Sequence, residues 1–171
     1  MTRLKPRMPV PALGVETLDG DVWRLGENEP KRFTLVVFFR GFHCPICKSY
    51  IRDLDRRIDD FTVRGVGVIA ISSDSRGRGE QSKQEWGLRR VKLGYGLTIP
   101  QARQWGLYVS KGIKPSEPSE FVEPGLFLVS RDGTLYASSV NTMPFARPSF
   151  GELLGALDFI IKENYPARGE A

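Results

Sequence analysis

The sequence predicts an α/β fold: a central mixed β-sheet flanked by helices, with an N-terminal β-hairpin extension. Three observations lead there. Residues 33–39 and 66–71 are short, nearly continuous apolar runs, the pattern of strands buried on both faces. Between them Cys47, Ile51, Leu54, Ile58 and Phe61 recur at helical spacing and describe one apolar face. Residues 125–129 form a further apolar run that turns at Asp132-Gly133 into Leu135-Tyr136-Ala137, and a helical pattern closes the chain. Strand, helix, strand, then hairpin and helix is the order of a mixed sheet covered on both faces.

Each element has its own local signal. Residues 15–25 read as a hairpin about Asp19-Gly20. Residues 26–32 are polar, contain Pro30 and predict a loop. Arg40-Gly41-Phe42-His43 makes a bend, and Pro45 sits in the first turn of the helix that follows, where a missing N–H costs nothing. Lys48, Arg52, Asp55 and Arg56 fill the polar side of that helix. A second helix is expected from about Gly79 through Trp86 to Val91. Pro100 and Gly106 bracket a short helix. Residues 110–123 are polar and carry Pro115 and Pro118, which predicts a long loop. Ser149 and Glu152 have capping-box spacing and open a last helix with Phe150, Leu153, Leu154, Leu157, Ile160 and Ile161 on one face. Trp86 and Trp105 are expected as core anchors.

The 171 residues fit one domain, with about residues 1–10 and 166–171 as flexible ends. Hydrophobic residues make up 40%, enough for a real core. No apolar run approaches the ~18 residues of a membrane span, and the charged N-terminus lacks the apolar stretch of a secretory signal, so a cytoplasmic protein is expected. The net charge of +5 is scattered among acidic neighbours. Without a basic stripe carrying stacking aromatics, a nucleic-acid partner is not expected. Two cysteines and one histidine fall short of a four-ligand zinc site, and no cofactor is implied.

The only cysteines form Cys44-Pro45-Ile46-Cys47, where the apolar strand gives way to the helix. Such a Cys-x-x-Cys pair at a strand-to-helix junction points to thiol redox chemistry. A helix start presents unpaired N–H groups and the positive end of the dipole, and both stabilise a thiolate. Residues three apart share a helix face, so the two sulfurs can close a disulfide. Cys44, at the helix start, is expected to be the more exposed and Cys47 to lie on the apolar stripe. His43 either favours the Cys44 thiolate when protonated or is a bend residue with a solvated ring. Phe42 is either partner surface or local packing, and Arg40 an anion binder or a loop arginine. A structural thiol pair is the blander account of the tetrad.

Residues 38–48, including the lysine after the second cysteine, resemble the active-site stretch of thioredoxins. Most of residues 10–162 resembles peroxiredoxins of the alkyl hydroperoxide reductase/thiol-specific antioxidant family. The similar features are the N-terminal hairpin, Ile71-Ser72-Ser73-Asp74-Ser75 with Trp86 beyond, and Gly125-Leu126-Phe127-Leu128-Val129 before Asp132-Gly133. The resemblance implies a thioredoxin-like fold. When the peroxiredoxin motif Pro-x-x-x-Thr-x-x-Cys is laid on the chain, the peroxidatic cysteine falls on Cys47, Cys44 takes the threonine place and Arg40 the proline place. Glu123-Pro124 stands where the family's arginine is expected, and Pro124 matches the thioredoxin cis-proline facing the cysteines. The thioredoxin likeness makes Cys44 the attacking thiol and Cys47 the resolving one; the peroxiredoxin likeness makes Cys47 the attacker.

The function expected is that of a thiol-disulfide oxidoreductase or thiol-dependent peroxidase cycling through a Cys44–Cys47 disulfide. Phe42, His43, Arg40, Glu123 and Pro124 would border the substrate. The resemblance implies a hydroperoxide or protein disulfide as oxidant and thioredoxin, glutaredoxin or glutathione as reductant, with no nucleic-acid or membrane partner; a homodimer is one assembly it allows. The rival is a non-enzymatic redox sensor using the same disulfide as a switch.

Overall fold

The structure, a computed structural model, describes residues 3–27 and 30–171. The N-terminal hairpin is β1 (Gly14–Thr17) and β2 (Val22–Arg24), with Gly20 at φ 90° in the turn. The two apolar runs are β3 (Phe33–Phe38) and β4 (Val66–Ile71), paired in parallel. Helices α1 (Pro45–Arg56) and α2 (Ile58–Thr62) connect them, continuing one apolar face across a break at Arg57. Then come α3 (Arg76–Glu85), β5 (Lys92–Tyr95) and α4 (Ile99–Gln104). The chain ends with β6 (Val109–Lys111), β7 (Glu120–Val122), β8 (Gly125–Ser130), β9 (Leu135–Val140) and α5 (Phe150–Glu163). Among the described residues the main sheet has seven strands in the order β2-β1-β5-β4-β3-β8-β9. This is the mixed sheet with a hairpin extension expected above.

Alternation along β3 builds two cores. Leu35, Val37 and Phe39 pack with Cys47, Ile51, Leu54, Trp86, Phe150 and Leu154 on one side. Val36 and Phe38 pack with Trp23, Ala102, Trp105 and Phe127 on the other. Trp86 and Trp105 are thus core anchors, as expected. Every residue of β3 is buried, so the strand reads as a continuous apolar run rather than an alternating one.

Two expectations are corrected. Residues 110–123 are not all loop: β6 and β7 pair antiparallel as a separate small sheet, a pairing that no strong local pattern announces. The helix expected over 79–91 starts earlier, capped by Ser75, and ends at Trp86. Beyond it the backbone N–H groups of Arg89, Arg90 and Val91 donate to the nearly buried Asp55 carboxylate of α1 instead of to helical carbonyls. They lead into β5, which the sequence did not reveal. Within the two end segments, described residues make contacts with the rest of the chain. Arg7 and Val10 donate backbone N–H bonds to Leu135 and Gly133, and the Arg7 guanidinium bonds the Ala167 carbonyl at 2.8 Å. No described helix is long and apolar enough to cross a membrane.

Candidate active site

The bend before the cysteines is shaped by a buried carboxylate. Gly41 has φ 131°, a conformation that side chains rarely adopt, and a Cβ there would lie 2.5 Å from an Asp74 oxygen. Only glycine lets Asp74 approach. Asp74 accepts the Phe42 N–H at 2.8 Å and an Arg78 N–H at 3.3 Å. The half-buried Phe42 ring stacks on Trp86 with ring centroids 6.5 Å apart, a packing contact within the fold.

Cys44 follows with extended backbone (φ −108°, ψ 105°) and serves as the N-cap of α1. Its sulfur accepts the Cys47 N–H at 3.2 Å, in the role usually filled by Ser, Thr or Asp. Both thiols are buried and reduced, Cys44 at 4% exposure and Cys47 at 0%. Cys44 is thus slightly the more exposed of the two, as expected, although both residues are buried.

The charge that addresses this pair comes from a distant residue. Arg147, in the connection from β9 to α5, donates from Nη2 to Cys47 Sγ at 2.9 Å. Its Nε and Nη1 are also buried, with no acceptor among the described residues. Burial disfavours the Cys47 thiolate. Hydrogen bonding from Cys44, the Arg147 charge and its N–H, and the Arg40 backbone N–H outweigh that penalty, lowering the Cys47 pKa to about 6. The Cys44 thiol is pushed well up: it serves the Cys47 sulfur as hydrogen-bond partner, is itself desolvated, and would repel a second thiolate. The electrostatics therefore oppose the thioredoxin-type assignment of Cys44 as thiolate and favour the peroxiredoxin-type assignment of Cys47.

The other expected site residues are engaged with neighbours of their own. Arg40 is not a free anion binder: it makes two 2.7 Å bonds to Glu123, which also accepts the Ser110 hydroxyl at 2.6 Å. Glu123 is 1% exposed, so the ion pair ties the strand entering the site to the β6–β7 side. His43 packs edge-on against Phe121 with ring centroids 4.6 Å apart, and its ring nitrogens are buried without partners. Burial lowers its pKa, which favours the neutral ring. The bond before Pro124 is trans, since the described residues contain no cis peptide. Pro124 is buried and its carbonyl already accepts the Asn141 N–H at 2.9 Å. The expected cis-proline docking edge is corrected on both counts.

Arg147, Tyr50 and Asp74 are the functional neighbours that sequence reasoning missed. Arg147-Pro148 stands just ahead of the Ser149 cap, but nothing local indicates that its guanidinium reaches a sulfur 100 residues earlier. Asp74 lay within a quoted motif, yet its grip on Gly41 is visible only in three dimensions.

A thioredoxin-like fold carrying an ionisable thiol at a helix start, with a second thiol at its cap, defines a thiol oxidoreductase. The chain belongs to the AhpC/TSA family, which matches residues 6–138. It is 26% identical over 164 residues to alkyl hydroperoxide reductase C of Helicobacter pylori, covering 94% of this chain and 80% of that one. Among solved structures it is similar to a peroxiredoxin-like protein from Aquifex aeolicus, with a TM-score of 0.75, 13% identity, and coverage of 94% of this chain and 90% of the other. It is also similar to Mycobacterium bovis AhpC, with a TM-score of 0.76, 16% identity and 96% of each chain covered. Members of the family are thiol-dependent peroxidases, and this chain is an oxidoreductase of that class.

Proposed function

We propose that the protein reduces small hydroperoxides at Cys47 and recycles through a Cys44–Cys47 disulfide. The observation that carries this is the Arg147 guanidinium on the Cys47 sulfur, which stabilises the nucleophilic form and leaves the N–H groups of Nε and Nη1 without an acceptor and available to an oxygen. The Cys47 thiolate attacks the nearer peroxide oxygen. An S–O bond forms, the O–O bond breaks, and the departing alkoxide or hydroxide takes a proton to leave as alcohol or water. Cys47 is then a sulfenic acid. Cys44, three residues away on the same helix start, attacks that sulfur and expels water, closing the disulfide. Two thiol equivalents from a reductant of the thioredoxin, glutaredoxin or glutathione kind reopen it. Burial of both sulfurs supports a small peroxide as oxidant over a protein disulfide.

The test is product mapping by mass spectrometry after one equivalent of hydroperoxide, with turnover measured in excess thiol. The wild type should lose both thiols together as an intramolecular disulfide and complete many cycles. Cys44→Ser should accumulate sulfenic and then sulfinic acid on Cys47 alone. Oxidation confined to Cys44 would overturn the assignment. A single cycle without turnover would favour a redox sensor.

A further inference from the structure

We propose that Tyr50 is the positioning residue for Arg147, holding the guanidinium against Cys47 by ring and hydroxyl together. The proposal rests on Cys47 being the peroxide-reacting thiolate. Tyr50 lies on α1 one turn beyond Cys47, so both project from one side of the helix. The Arg147 guanidinium carbon sits 4.6 Å from the centroid of the Tyr50 ring, in cation–π contact. The Tyr50 hydroxyl donates to the Pro148 carbonyl at 2.7 Å, anchoring the residue after Arg147. The same ring packs on Phe150 at 4.3 Å, and Phe150 is fully buried at the start of α5. One side chain therefore touches the arginine, the backbone beside it and the helix behind it.

The connection that carries Arg147 needs such a support. Residues 142–147 belong to no strand or helix, and Met143, Phe145 and Ala146 are exposed. Ala146 takes a left-handed conformation, φ 59°, immediately before Arg147. A non-glycine residue holds this φ only where its surroundings impose it. The Asn141 side-chain amide helps by donating to the Ala146 carbonyl at 3.2 Å. No acidic side chain neutralises Arg147 among the described contacts, so its direction depends on the Tyr50 face below and the Cys47 sulfur ahead. Burial raises the Tyr50 pKa, which keeps the hydroxyl protonated and able to donate.

The experiment is a thiolate titration by ultraviolet absorbance on the full chain, together with the pH–rate profile for hydrogen peroxide. The variants are Arg147→Gln, Tyr50→Leu, Tyr50→Phe and the double variant Tyr50→Leu/Arg147→Gln. Arg147→Gln should raise the Cys47 midpoint by about one to three units. Tyr50→Leu should raise it by about one unit and slow the reaction at pH 6 about five-fold through the smaller thiolate fraction. Tyr50→Phe keeps the ring and loses only the Pro148 bond, so its shift should be smaller but resolved. The double variant should titrate like Arg147→Gln alone, because Tyr50 acts through the arginine. An unmoved midpoint in Arg147→Gln would overturn the thiolate assignment itself. A shift in Arg147→Gln with none in either Tyr50 variant would overturn only the positioning role. Tyr50→Phe retains the packing on Phe150 and decides the matter if Tyr50→Leu does not fold.

Discussion

Two arginines near Cys47 have opposite fates. Arg40 is neutralised by Glu123 at 2.7 Å through both carboxylate oxygens, and Ser110 completes the group. Among the described residues Arg147 has no carboxylate on it, one N–H on the Cys47 sulfur, and two buried nitrogens, Nε and Nη1, without acceptors. A paired charge holds elements together and contributes little field beyond its partner. An unpaired, partly desolvated guanidinium directs its field at the nearest ionisable atom, which is Cys47 Sγ. Arg40 is thus a tie between the end of β3 and the small β6–β7 sheet, and Arg147 the cationic partner of the Cys47 sulfur.

The contrast yields outcomes that would break or sharpen it. Cys47→Ser should remove the hydroperoxide reaction altogether in a stopped-flow assay, the largest effect. Arg147→Gln should follow, with the second-order rate falling about 10²–10³-fold as both thiolate stabilisation and oxygen donors are lost. The fold should remain intact by circular dichroism. Glu123→Ala should show the reverse pattern. Removing the carboxylate leaves the half-buried Arg40 unpaired, a destabilisation of about 2 kcal/mol readable in urea unfolding, with a smaller effect on the rate. If Glu123→Ala behaved like Arg147→Gln in the kinetic assay, the distinction between the two arginines would fail.

The pH profile sharpens the same point. Cys47 is lowered to about 6, so the rate should rise with pH through about 6 and level off above it. His43 is pushed down by burial and should add no step near neutrality. Stability carries a matching signature. Between about pH 6 and the ordinary thiol value of ~8.5, the unfolded chain binds a proton at Cys47 that the folded chain has released. Stability should therefore increase with pH across that window and lose this contribution as pH falls through about 6. Arg147→Gln should flatten that rise in denaturant titrations at several pH values. The smallest effect is expected at the helix behind the arginine. Ser149 accepts the Glu152 N–H at 3.3 Å as the α5 cap, and Ser149→Ala should cost about 1 kcal/mol with little change in rate.

Much of the fold was legible because its signals are local. The runs at β3, β4 and β8 announce buried strands through composition alone. The stripe from Cys47 to Phe61 announces α1 and α2. Ser149, Asp19-Gly20 and Pro100 act within a few residues of themselves, so their caps and turns were read correctly. The misreadings have a common cause. Residues 89–91 looked helical until Asp55 took their N–H groups from another element. Residues 110–123 looked like loop because β6 and β7 are three residues each and draw support from the site they border.

At the site, the sequence by itself determined that two thiols sit three residues apart at the start of an amphipathic helix. That placement sets the cap and the shared face, both consequences of geometry within one turn. It did not determine which thiol ionises. The contacts that bear on that question come from the tertiary structure, which brings Arg147 to Cys47 across 100 residues, engages Arg40 with Glu123 across 83, and buries Cys44 along with its partner. The reason is physical: a cap acts through hydrogen bonds reaching a few residues along the chain, whereas a pKa is set by desolvation and by charges assembled through space.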